Sequence, residues 1–109
     1  MKKIYLAAPY SHESHIIVAA RVDTINQDAA KLMQYGHLVF SPISHSHYIA
    51  VENDLPKGFE FWQAMNHSFI DWSDAVYVLQ LKGWEESNGI KDEIKYAEKH
   101  NKEIVFIRV

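Results

Sequence analysis

The sequence predicts an α/β fold of three layers, with a four-stranded parallel sheet between helices. Three observations predict it. Four short β-like runs alternate with helix-patterned stretches, the order that yields a parallel sheet with right-handed crossovers. One run, Ala75-Val76-Tyr77-Val78-Leu79, is nearly continuously apolar, as a strand covered on both faces must be. Hydrophobic residues make up 48% and charged residues 23% of the 109 positions, enough for one core with an ordinary surface, so residues 1–109 are expected to form one domain.

The first strand is Ile4 to Ala7, closed by Ala8-Pro9, where proline stops the ladder. From Ser14 to Tyr35, apolar residues recur at Val18, Val22, Ile25, Ala29 and Leu32, the spacing of one helix face, and Gly36 follows as a terminator. His37 to Ser41 reads as the second strand, ended by Pro42. Ser44 to Gly58 is the least regular stretch and reads as a long loop with room for a short helix. Phe59 to Ser73 is helical in pattern, with Phe61 or Trp62, Met65, Phe69 and Trp72 on one side. Asp74 opens the third strand. Lys82 to Ser87 is a loop, Asn88 to His100 a helix with Ile90, Ile94 and Ala97 inward, and Glu103 to Arg108 the last strand. The expected strand order is 2-1-3-4, a Rossmann- or flavodoxin-like arrangement. Ligands on such sheets bind beyond the strand carboxyl ends at the switch point, which directs attention to Ala8–His12, Ser41–His47 and Leu81–Gly89.

Composition excludes several function classes. The net charge of −3 offers no basic footprint for a nucleic-acid polymer. No cysteine is present, so thiolate chemistry and disulfides are out. No apolar stretch approaches the length of a membrane span, and the opening residues lack a signal-peptide pattern, so a cytoplasmic protein is expected. Neither a Gly-x-Gly-x-x-Gly fingerprint nor a P-loop lysine follows the first strand, which disfavours NAD and ATP chemistry; no cofactor is expected.

The chemistry-bearing stretch is Ser87-Asn88-Gly89-Ile90-Lys91-Asp92-Glu93. Ser87 or Asn88 can cap the helix, Gly89 admits a ligand close to the backbone, and the helix start presents free N–H groups to an anion. Glu93 lies one turn in, at the edge of the buried face. Two readings fit it: a carboxylate aimed into the cleft, or an acidic first turn that complements the helix dipole. The loop Ala8-Pro9-Tyr10-Ser11 after the first strand is a second candidate ligand wall. His45 and His47, with His12 and His15, could be metal ligands by type, but no carboxylate stands at a diagnostic spacing; they read as polar cleft lining or loop residues, with His45 nearest the ligand. Trp62, Trp72 and Trp84 read mostly as core or subunit contact, and Trp84, on the loop before Ser87, is the one of the three that could stack on a ligand.

Gly89-Ile90-Lys91-Asp92-Glu93-Ile94-Lys95-Tyr96-Ala97 resembles the Gly-x-x-x-Glu-(Ile/Leu)-x-x-Ala segment of the nucleoside 2-deoxyribosyltransferase superfamily, and Tyr5 in "KKIYLAAPY" matches that superfamily's strand-1 tyrosine. "LAAPYSH", "VFSPISHSH", "GWEESNGI" and "DEI" resemble the DUF1937 family over nearly the whole chain. The resemblance implies that Glu93 is a nucleophile assisted by Tyr5. Six residues before it, where nucleoside transferases carry aspartate, stands Ser87, as in the related 2′-deoxynucleoside 5′-monophosphate N-hydrolases. Serine attracts phosphate where aspartate repels it, so a 5′-monophosphate is expected over a free nucleoside. The chain departs from the hydrolases at Asn66, where they carry an aspartate; an amide donates a hydrogen bond but does not titrate. The expected activity is therefore base–sugar cleavage through Glu93, with a non-catalytic nucleotide-binding module as the alternative. A homodimer or higher homo-oligomer is expected from the aromatics of the Phe59–Trp72 helix.

Overall fold

The computed structural model describes residues Met1–Val109. The chain runs β1 (Lys3–Ala7), α1 (His15–Gln34), β2 (Leu38–Phe40), α2 (Pro42–Glu52), α3 (Phe59–Trp72), β3 (Ala75–Gln80), a 3-10 turn (Trp84–Glu86), α4 (Asn88–Lys99) and β4 (Glu103–Arg108). All strand pairings are parallel, in the order β2-β1-β3-β4. The predicted α/β class and strand order hold. No helix is long and apolar enough to cross a membrane.

Strand alternation divides the core in two. Side chains of successive strand residues point to opposite faces, so β1 sends Tyr5 and Ala7 to one side and Leu6 and Ala8 to the other. The first set packs with Val76, Val78, Ile70 of α3, and Ile90 and Ala97 of α4. The second packs with Leu79 and with Ile25 and Ala29 of α1, and Ile43 of α2 borders it. A tyrosine at an odd position of β1 is thereby fixed on the side where α4 lies. This parity is the first step in building the site.

The region expected as a long loop is the main correction. Residues 42–52 form α2, and only Asn53–Gly58 remain irregular. Ser41 is its N-cap, its Oγ accepting from the Ser44 amide at 3.4 Å, and Pro42 occupies the first turn, where its missing N–H costs nothing. Ser46 and Ala50, one turn apart, are buried with Pro42. Serine and histidine content masked a helix whose start signal, Ser-Pro, was present.

Candidate active site

The cleft lies at the carboxyl ends of β1 and β3, where their connections diverge to opposite faces of the sheet. It has a volume of about 570 Å³. Four walls line it: Ala8, Pro9, Tyr10 and Ser11 after β1; Ser46, His47 and Ala50 of α2; Trp62, Gln63 and Asn66 of α3; and Gly83, Glu86 and Ser87 before α4 with Asn88, Gly89, Asp92 and Glu93 of its first turns.

Glu93 forms the floor. Its partners on the inward face of α4 are Ile90 and Ala97, at the i, i+3, i+7 spacing of one helix face. The carboxyl is therefore fully on the buried side rather than at its edge, 7% exposed. The Tyr5 hydroxyl donates to Glu93 Oε2, because strand parity and helix phase deliver both to the same side of the sheet. Burial disfavours the carboxylate and pushes Glu93 up to about 8, against the lowering effect of the Tyr5 hydrogen bond; the neighbouring Asp92 charge raises it further. Burial, reinforced by Glu93, drives the Tyr5 hydroxyl well above the usual tyrosine range. At neutral pH this pair holds its protons more firmly than the same groups in water.

Asp92, rotated about 100° around the helix from Glu93, is held from α3 on both oxygens: by Gln63 Nε2 at 2.8 Å and His67 Nε2 at 2.8 Å. His67 in turn stacks on Tyr96 with ring centroids 3.8 Å apart. Asn66, on the same face of α3, lines the cleft, and its buried Oδ1 has no hydrogen-bond partner.

The lip of the cleft is the start of α4. A helix start leaves its first N–H groups without intrahelical acceptors. Here the Ser87 amide donates to the Trp84 carbonyl at 3.2 Å and the Ile90 amide to Ser87 Oγ at 3.2 Å. The amides of Asn88 and Gly89 have no protein acceptor, and both residues line the cleft. Ser87 accepts as the cap, which leaves its hydroxyl proton free to donate. Gly89 has neither a positive φ nor a close neighbour: a Cβ there would meet Phe59 Cβ at 3.6 Å and Ser87 Oγ at 3.8 Å. Nothing in the protein itself requires glycine at that position.

Of the residues singled out from sequence, Ala8, Pro9, Tyr10, Ser11, Asn66, Ser87, Asn88, Gly89 and Glu93 line this cleft, with Tyr5 buried behind Glu93. His45 does not. It is exposed, bonds Ser46 Oγ at 3.0 Å and packs on Phe40 at 5.6 Å. His47 lines the cleft instead, its Nδ1 paired with the Tyr10 hydroxyl at 2.7 Å. A His-x-His pair puts both rings on one side only in an extended segment; in a helix, positions two apart diverge by about 200°. Trp84 packs against the core beside Phe106 at 5.6 Å, in keeping with the core reading, and does not reach the cleft, whereas Trp62 lines the cleft and donates Nε1 to the Pro56 carbonyl at 2.8 Å.

The one lining cation of α1 had no sequence reading as a site residue. Arg21, on α1, sends Nη1 to the Ser11 carbonyl at 2.9 Å and Nη2 to the Lys82 carbonyl at 3.0 Å. The available signal was its place two turns into the helix that follows β1, beside the buried Val22.

Among solved structures, that of the 2-deoxyribosyltransferase from the psychrotolerant bacterium Bacillus psychrosaccharolyticus matches with a TM-score of 0.65 at 24% identity, covering 97% of this chain and 72% of that one. At that identity the likeness is one of fold. No curated protein matches. The family model described as a domain of unknown function, DUF1937, matches residues 2–108. A match over nearly the full length makes this chain a member of the DUF1937 family.

Proposed function

We propose that the chain cleaves the base–sugar bond of a (deoxy)nucleoside 5′-monophosphate, with Glu93 as nucleophile. One observation carries the reading. A buried carboxyl, gripped on one oxygen by Tyr5, forms the floor of a cleft whose lip offers two unused amides and a serine hydroxyl. The fold shared with a 2-deoxyribosyltransferase supports it.

In this mechanism the 5′-phosphate sits at Ser87, Asn88 and Gly89, placing the sugar over Glu93. The ionised carboxylate attacks C1′ as the C1′–N bond breaks, giving a glycosyl ester, by analogy with retaining glycosidases. The bonding pair of the broken bond leaves with the base, which takes a proton from water. A water molecule, or the nitrogen of a second base, then displaces the ester and returns the carboxylate. Tyr5 holds Oε2 and so aims Oε1. Asn66 supplies a hydrogen bond to the departing base but no proton. Exposed Tyr48, Ile49 and Val51 on α2 and Phe61 on α3 support assembly as a homo-oligomer.

Asn66 favours one second reading, a nucleotide-binding module that holds its ligand intact. Incubation with a panel of ribo- and deoxyribonucleoside 5′-monophosphates, followed by chromatography for free base, separates the two. Release is expected from the native protein. Glu93→Gln should lower turnover by several orders of magnitude while leaving binding similar or tighter. Monophosphates that bind yet stay intact with the native protein would establish the binding module.

A further inference from the structure

We propose that Arg21 is the specificity-determining cation of this cleft, selecting a phosphorylated nucleotide over the corresponding nucleoside. The inference rests on the placement of the phosphate at the α4 lip and adds a residue from a different element.

The guanidinium spans the switch point. It ties the loop after β1, through the Ser11 carbonyl, to the connection after β3, through the Lys82 carbonyl. That second connection leads through the Trp84–Glu86 turn to Ser87, so Arg21 braces the segment that presents the phosphate donors. Gly83, in the left-handed region at φ +92°, makes the approach possible: a Cβ there would lie 3.0 Å from Arg21 Nη2.

The donor count then points outward. A guanidinium has five N–H groups, and the two carbonyls use one on Nη1 and one on Nη2. Three remain. Arg21 takes part in none of the chain's ion pairs, although Glu86 lines the same cleft. A side chain held in place by carbonyls, with its charge unmatched and donors to spare, is pre-organised for an anion, and the planar fork suits phosphate oxygens. Carbonyl partners fix the group without neutralising it.

The plain alternative is a loop tie with no ligand role. Calorimetric titration on the Glu93→Gln background, where turnover does not intervene, distinguishes them. The probes are the four deoxynucleoside 5′-monophosphates and the matching nucleosides. Arg21→Gln should weaken the monophosphates by about 10- to 100-fold, the range of a lost charge-assisted bond, and leave nucleoside affinity unchanged. Arg21→Lys should recover part of the loss, because charge returns without the fork. In the protein with Arg21 intact, inorganic phosphate should compete with the monophosphates. Equal weakening of nucleotide and nucleoside, or no weakening of either, overturns the proposal. So does failure of inorganic phosphate to compete, which covers the case in which the variants do not fold. Because binding is read directly, the absence of base release would defeat the catalytic reading and leave this test standing.

Discussion

The floor and the lip of the cleft lie one helical turn apart on α4, yet they are built on opposite principles. At the floor, Glu93 shares the buried face of α4 with Ile90 and Ala97 and its one hydrogen-bond partner is the buried Tyr5 hydroxyl, so desolvation governs its ionisation. At the lip, Ser87, Asn88, Gly89 and Arg21 keep unused donors near solvent, and hydrogen-bonding capacity governs their affinity. The difference teaches where each part of a reaction can be placed. A nucleophile gains from being dry and poorly compensated, because its charge is then most strongly stabilised by a developing cation. A recognition surface gains from being wet and pre-ordered, because a phosphate arrives already hydrated and needs replacement partners rather than isolation.

The sharpest way to alter the contrast is to add a titrating acid to the dry end. Asn66→Asp should raise base release by about 10²- to 10⁴-fold if the full acid-catalytic contribution is restored. The gain should carry an acid limb in the pH–rate profile, since the new carboxyl donates only when protonated. The native protein should show the opposite dependence, its rate rising with pH as Glu93 ionises near 8. An Asn66→Asp protein that binds monophosphates normally but releases no base would remove the catalytic account.

A second test reads the floor through stability. Glu93 ionises near 4.5 when unfolded and near 8 when folded, so between those values the unfolded chain sheds its proton first. Stability is therefore greatest below about pH 4.5 as far as this group is concerned, declines as pH rises, and levels off above about 8. The decline should amount to a few kcal/mol. Denaturant unfolding of native protein and Glu93→Gln at pH 5 and pH 8 checks it: the difference in stability between the two proteins should move in favour of glutamine at the higher pH. A difference independent of pH would mean that the carboxyl is not desolvated as its surroundings imply.

The smallest expected effect belongs to the lip. Gly89→Ala places a methyl group near the Ser87 hydroxyl without clashing with the protein. The fold should be unharmed or gain up to about 1 kcal/mol of helix propensity, while monophosphate affinity falls severalfold because the anion can no longer approach the backbone. Unchanged affinity would move the phosphate away from that amide.

Sequence made the sheet legible because apolar runs and turn residues are local signals. It brought Glu93 and Ser87 into view because a helix start is also local, although it set Glu93 at the edge of the buried face, where the structure buries it alongside Ile90 and Ala97. The failures around α2 share a cause. α2 was hidden because Ser-His-Ser-His carries no apolar period, leaving the Ser41–Pro42 start as its one mark. Once the helix was missed, His45 and His47 were assigned by the wrong geometry. Arg21 was invisible for another reason: its carbonyl partners lie 10 and 61 residues away, and only the folded topology brings them to one guanidinium.

Asn66 leaves a mark on the protein's tolerance to change. A buried acceptor with no partner costs the free protein about 1–3 kcal/mol. An apolar side chain of similar size would remove that penalty and leave a sturdier molecule with one fewer group for a ligand to satisfy. Selection for heat resistance alone would erase this amide early. A ligand that donates a hydrogen bond to Oδ1 would recover that cost on binding.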